Sequence, residues 1–251
     1  MRAWIISIGD EILAGKVIDW NAYWIAKRLT SIGIQVRRIV SIPDDPEILA
    51  EVIREATSNA ELIITTGGLG PTPGDITVEG LCKATGREIV LDPKALEFVK
   101  RRYQELHSLG LVDSPNINKA REKMAWIPKG AEIEYNDVGV APAIILNTGL
   151  ATIIALPGPP PECMYLFEKI VPRIRPPKEL FTIEKLIEIS DESEVAELLL
   201  KVRQIYPDVH IKTYPIGFGQ NKMQIIVMAD TKEKASGALE MLTKLLKTQL
   251  N

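Results

Sequence analysis

Histidine and cysteine are scarce in this chain of 251 residues, two of each, and that scarcity removes much common metal and nucleophile chemistry. Cys82 and Cys163 lie far apart and match no C-x-x-C spacing, which argues against a disulfide framework or a structural zinc site. His107 and His210 are too few for a histidine-rich zinc centre, so any metal has to sit on carboxylates. A reducing, cytoplasmic compartment is expected. Blocks of like charge are missing too: 30 basic and 33 acidic residues leave a net charge of −3, and nothing directs the chain to nucleic acid. The basic stretch KRRYQEL from Lys100 reads as a solvated helix face. Long apolar runs are also absent. The opening MRAWIISIGDEI holds only about seven apolar residues before two acids, and no run reaches the roughly 18 that a span needs, so neither a signal peptide nor a membrane partner is expected.

What is present is a rhythm of short β-branched runs and amphipathic helices, which predicts an α/β fold: a three-layer αβα domain with a mostly parallel, mixed sheet. Ala3 to Gly9 is a central strand. Ala22, Ile25, Leu29 and Ile32 fall at helical spacing before Gly33, and Ile34 to Ile42 is a second strand. Asp45 and Pro46 open a helix carrying Leu49, Val52, Ile53 and Ala56, and Glu61 to Thr66 is a third strand. A short helix follows from Thr77 to Thr85. A longer one opens at Asp92 and Pro93 with Leu96, Val99, Tyr103 and Leu106 in register, and a looser stretch after it surrounds a short helix. Ala143 to Asn147 and Ala151 to Gly158 form a hairpin, giving one antiparallel pair. Pro159 to Pro161 open a helix through Ile170. Residues 1–172 read as one nucleotide-binding domain. The proline-rich Val171 to Glu179 reads as a linker, and 178–251 as a small β-α-β-β-α subdomain.

The stretch TTGGLGPTPGDIT, Thr65 to Thr77, concentrates four glycines directly after a buried strand. Glycines let backbone N–H groups approach a phosphate, and a helix start adds positive potential. No Gly-Lys-Ser/Thr follows, so this is not a Walker sequence, and IGDEILAGK fails the P-loop spacing as well. In the strand order 2-1-3, the exits of the first and third strands share a crevice. Asp10 and Glu11 leave one side, and Gly67, Gly68, Gly70 and Asp75 the other. Three carboxylates beside a phosphate cradle suit Mg²⁺ or Mn²⁺; alternatively Asp10 and Asp75 cap their helices. Asp19 and Asn21 either contact a sugar or base, or Asn21 is an N-cap. Gly158 in ALPGPPPE either permits close ligand approach or belongs to a proline turn, with Glu162 in the next helix's first turn. Cys163, in an apolar helix, reads as core.

Taken in order, GDEILAGKVIDWN, TTGGLGPTPGDIT, YNDVGVAPA and LPGPPPE resemble the molybdopterin-binding-type (MoaB/Mog-like) domain of the competence/damage-inducible protein A (CinA) family, over about residues 1 to 172. The tail resembles that family's small KH-like subdomain. None of the 251 residues resembles the family's deamidase domain, so that activity is not expected. The resemblance implies metal-dependent hydrolysis of a nucleotide pyrophosphate, ADP-ribose to AMP and ribose 5-phosphate, with Mg, Mn or Co as the divalent metal. It places Asp10, Glu11, Asp19 and Asn21 in the first signature and Gly67, Gly68, Gly70, Thr72, Asp75 and Thr77 in the second. Asn136, Gly139 and Pro142 belong to the third, and Pro157 and Gly158 to the fourth. Asp75, Asp10 and Glu11 would hold the metal, and Lys16 is the nearest spare cation for a leaving phosphate. Two alternatives share the cradle: molybdopterin binding or adenylylation in molybdenum-cofactor biosynthesis, and a non-catalytic nucleotide- or pterin-binding module. A homo-oligomer is expected by resemblance. Gly74 replaces an acid, Trp20 a threonine and Ala143 a glycine common in the family.

Overall fold

The computed structural model describes residues 1–174, 180–189, 193–216 and 222–249. In chain order the first elements are β1 (Arg2–Ile8), α1 (Asp10–Leu13), α2 (Trp20–Ser31), β2 (Gln35–Ile42), α3 (Pro46–Asn59), β3 (Leu62–Thr66) and α4 (Thr77–Thr85). There follow β4 (Ile89–Leu91), α5 (Pro93–Ser108), α6 (Lys119–Lys123), β5 (Trp126–Pro128), β6 (Glu132–Glu134), β7 (Ala143–Asn147), β8 (Thr152–Leu156) and α7 (Pro160–Ile170). The last are β9 (Phe181–Ile187), α8 (Ser193–Ile205), β10 (His210–Pro215), β11 (Met223–Ala229) and α9 (Lys232–Gln249). By contacts the chain divides into two compact units, residues 1–30 with 34–175, and residues 31–33 with 176–251.

The first unit is built on a six-stranded sheet in the order β2-β1-β3-β8-β7-β6. β1, β2, β3 and β8 run parallel, and β7 is antiparallel to β8. The expected 2-1-3 order and the β7–β8 hairpin are therefore present. A second antiparallel pair, β6 with β7, and a separate β4–β5 ribbon extend the expectation; strands of three residues are too short to carry a period that sequence reading could use.

Helices cover both faces because β1, β3 and β8 are apolar on both. Trp4, Ile6 and Ile63 pack with Leu49 and Ile53 of α3, Leu81 of α4 and Phe98 of α5. The alternate residues, including Ile5 and Ile64, are equally buried on the opposite side, where α2 and α7 bury Ile25, Leu29, Leu166 and Phe167. Trp24 of α2 meets Phe167 edge-on at 5.9 Å, and Arg28 pairs with Glu168 at 2.7 Å. The helix punctuation follows the sequence. Asp45 accepts from Glu47 and Ile48 N–H, Asp92 from Ala95 N–H, and Gly33 and Gly86 take positive φ. On α5, Val99 is buried and Tyr103 packs against the core as expected, with Leu96 and Leu106 half-buried; Ala95 and Phe98 are buried as well, and Phe98 meets Tyr135 at 5.1 Å. Cys82 and Cys163 are buried; burial pushes their thiols up to about 11 and about 12, which keeps them protonated.

The second unit has the order β9-α8-β10-β11-α9, with β11 between β10 and β9 and both pairs antiparallel. On β11, Met223, Ile225, Val227 and Ala229 alternate inward onto Val195, Val202 and Leu242. Most of the expected linker, residues 175–179, lies outside the described residues. Among the described residues no helix is long and apolar enough to cross a membrane.

α3 and α4 pack closely because Gly80 has no side chain: a Cβ there would stand 2.6 Å from Leu49 Cδ2. An exposed helical glycine gains about 1 kcal/mol on conversion to alanine, whereas overpacking a core costs about 1–3 kcal/mol. Gly80→Ala is expected to lower the urea midpoint, with a net loss of up to about 2 kcal/mol; a raised midpoint would show that the helices have room to part.

Candidate ligand-binding site

The exits of β1, β3 and β8 meet at the carboxyl edge of the sheet, where open α/β folds bind ligands. Gly67 N–H donates to Leu156 O at 3.0 Å and Gly9 N–H to Ile42 O at 3.1 Å. Any Cβ on Gly67 would collide with the Ile8 carbonyl. Gly68 has φ +66, and a side chain there would strike Thr77 Oγ1, so the loop after β3 requires glycine at both positions. On the other face, Asn21 Nδ2 donates to Gly158 O at 2.7 Å, tying the start of α2 to the exit of β8. The result is an open cleft of about 600 Å³.

Most of the expected residues converge here. Glu11, Asp19 and Asn21 line the cleft, as do Gly67, Gly68, Gly70, Thr72 and Asp75. Gly139, Pro157 and Gly158 complete it. Four expected residues do not line it. Asp10 starts the four-residue α1 with no capping bond; its carboxylate accepts from Asp44 N–H at 3.4 Å while Asp44 accepts from Asp10 N–H at 3.3 Å. Thr77 is fully buried, donating its hydroxyl to Gly67 O at 2.8 Å as a strut beneath the loop. Asn136, also fully buried, accepts from Val138 and Gly139 N–H and donates to Ala141 O and Glu162 Oε2, so it folds its own turn. Pro142 lines a smaller hollow of about 250 Å³ behind the glycine loop. Lys16 is exposed and is not a lining residue.

Asp75 has a role that its spacing did not disclose. It does not cap α4, whose first turn has no side-chain cap. Instead its carboxylate accepts from Gly70 N–H at 2.7 Å, Thr72 N–H at 2.7 Å and Thr72 Oγ1 at 2.6 Å. It thereby closes the loop on itself and takes two N–H groups expected to face a phosphate. Gly68, Leu69 and Gly74 N–H make no hydrogen bond among the described residues and remain as the loop's donors. Lys123 of α6 donates to Thr72 O and pins the loop from outside. The N-cap of α2 is Asp19, accepting from Ala22 N–H at 2.9 Å, rather than Asn21. Asn21 Oδ1 is buried and has no hydrogen-bond partner among the described residues.

Residues missed by the sequence reading give the cleft its electrostatics. Asp44 lines it; burial raises its carboxyl, and repulsion from Asp10, Glu11 and Asp75 adds to the rise. Glu162 also lines it, and burial raises that carboxyl against the lowering effect of Asn136. Five acidic residues, Glu11, Asp19, Asp44, Asp75 and Glu162, thus line the cleft, and its lining holds no Lys, Arg or His among the described residues. Hard oxygens of this kind suit Mg²⁺ or Mn²⁺. Yet no three His, Cys, Asp or Glu side chains among the described residues are grouped to hold an ion, since Asp75 faces its own loop and Asp10 faces Asp44. The expected three-carboxylate centre is therefore not preformed.

A carboxyl whose pKa is raised by folding destabilises the fold above its unfolded pKa, and the penalty disappears as falling pH protonates it. Asp44→Asn is accordingly expected to raise the melting temperature at pH 7, with the gain shrinking toward about pH 4, the ordinary carboxylate range. Thermal scans across that interval check it. A gain that grows in acid would contradict the like-charge account.

Comparison with known proteins agrees with this geometry. Residues 4–176 match the family model described as "Probable molybdopterin binding domain". A Pyrococcus furiosus protein is 40% identical over 242 residues, 96% of this chain and 95% of its own. One from Pyrococcus horikoshii is 41% identical over 232 residues, 91% and 89% of the two chains. Among solved structures, a Thermoplasma acidophilum CinA protein described as of unknown function is 35% identical, with a TM-score of 0.63, over 69% of this chain and 98% of that one. This chain belongs to the molybdopterin-binding-domain family and is a CinA-like member of it.

Proposed function

We propose that the cleft binds a phosphorylated pterin of the molybdopterin class. The observation that carries the reading is the glycine loop at the exit of β3, where Gly68, Leu69 and Gly74 keep N–H groups without a partner among the described residues, beside a cleft of about 600 Å³. That volume falls within the range of small-molecule sites, and family membership supplies the ligand class. Backbone amides of a glycine-rich loop favour a phosphate without needing a basic side chain.

The charge balance adds a requirement. A phosphate entering a cleft lined by five carboxylates and no basic side chain meets net repulsion. A divalent cation arriving with the phosphate would neutralise that charge, and Glu11, Asp19 and Asp44 offer oxygens that could share it. What the chain itself supplies is a fixed floor: Thr77 braces Gly67, Asp75 holds Gly70 and Thr72, and Asn136 sets the turn carrying Gly139. Adenylylation of the bound phosphate is compatible with an open mouth beside this floor. Hydrolysis of ADP-ribose draws less support, because the carboxylate expected to hold its metal is the one that closes the loop.

Isothermal titration with molybdopterin, with and without Mg²⁺, tests the reading. Saturable binding in Mg²⁺ that weakens at least tenfold on chelation is expected. Release of AMP from ADP-ribose with Mg²⁺, Mn²⁺ or Co²⁺, in protein that does not bind the pterin, would favour the hydrolytic alternative.

A further inference from the structure

One wall of the cleft is built for something other than phosphate. Trp20, at the start of α2, lines the cleft and leaves 54% of its surface exposed. Its ring is steadied by Tyr23, edge-on at 5.9 Å and 80°. Val17 and Ile18, also lining residues, are 52% and 71% exposed beside it. Large apolar side chains left open at a cleft mouth mark a binding surface more often than they serve stability. A flat indole face is a platform on which any planar heterocycle stacks.

Glu162 lines the same cleft, in the first turn of α7. The Asn21–Gly158 hydrogen bond and the Arg28–Glu168 ion pair fix α2 against the β8–α7 segment, so the two side chains belong to one rigid frame. Glu162 Oε2 accepts from the buried Asn136 at 2.6 Å, and Gly139 lacks a Cβ where the carboxylate lies against it. Oε1 accepts no hydrogen bond from the described residues. The carboxylate is therefore held in place with acceptor capacity to spare, in a residue that lines the cleft.

We propose that this wall is a ring subsite in which Trp20 stacks a planar heterocycle and Glu162 accepts from the ring's paired N–H donors. A 2-amino-4-oxo-pyrimidine edge, shared by pterins and guanine, presents an amino and a ring N–H side by side, two donors for a carboxylate. Adenine presents a donor beside an acceptor, and a carboxylate repels the acceptor. Glu162 is thus a specificity-determining residue for 2-amino-4-oxo rings. The proposal rests on the phosphate-binding reading above and goes beyond it by assigning the ring.

The test uses three probes with the full chain in Mg²⁺: GDP, ADP and inorganic pyrophosphate. Expected are binding of all three and a preference for GDP over ADP of about tenfold, the scale of one net hydrogen bond. Trp20→Ala should weaken both nucleotides about tenfold, the scale of one stacked base, and leave pyrophosphate unchanged, while Trp20→Phe retains most of the affinity. Glu162→Gln should bring GDP to the level of ADP with pyrophosphate again unchanged. If pyrophosphate binds but the variants change neither nucleotide, the ring subsite is overturned and the cradle stands. If none of the three probes binds, the phosphate-binding reading fails with it. A lower sedimentation mass for Trp20→Ala with unaltered nucleotide binding would overturn the proposal by making the apolar patch a surface between copies of the chain.

Discussion

The architecture of the site depends on the close approach of three strand exits at one edge of the sheet. Gly67 lies so near the Ile8 carbonyl that no side chain fits, while its N–H reaches across to Leu156. This contact brings the β1, β3 and β8 exits within one cleft and sends the following segments to opposite faces. Everything polar in the cleft is arranged around it. Thr77 braces the loop from below, Asp75 closes it from within, Lys123 holds its rim, and Asn21 binds the third exit through Gly158. Each of these braces is a bond between parts of the chain.

Those braces also divide the labour of binding. The loop's remaining donors are backbone amides, fixed in direction and uncharged, and the wall opposite carries Trp20 and Glu162. A phosphate is held by geometry, a ring by surface and edge. The acidic lining sets the third term, since it disfavours a bare anion and favours one that brings its own cation.

Much of the fold was legible in the sequence because its long elements carry clear periods and punctuation. Asp45, Asp92, Gly33 and Gly86 act where the pattern placed them. The 2-1-3 order of the first three strands and the β7–β8 hairpin agree with the alternation of β-branched runs and helices. What escaped was short or directional. β4, β5 and β6 have three residues each, and α1 is a single turn. Asp75 was readable as an important residue, but nothing in its spacing told whether its carboxylate turns toward a ligand or back onto Gly70 and Thr72. Asp44 stood in the shadow of its capping neighbour Asp45, and Glu162 was legible only as a first-turn acid. Their shared position depends on tertiary contacts across 34 residues from Asp10 to Asp44 and 26 from Asn136 to Glu162, distances that local pattern does not reach.

The central claim is that the loop after β3 receives the ligand's phosphate through backbone donors left open by the Asp75 closure. Titrating isotopically labelled protein with molybdopterin in Mg²⁺ while following backbone amide resonances addresses it directly. The account predicts the largest shifts at Gly68, Leu69 and Gly74, with Gly70 and Thr72 little changed. Shifts absent from the loop, or dominated by Gly70 and Thr72, would contradict it.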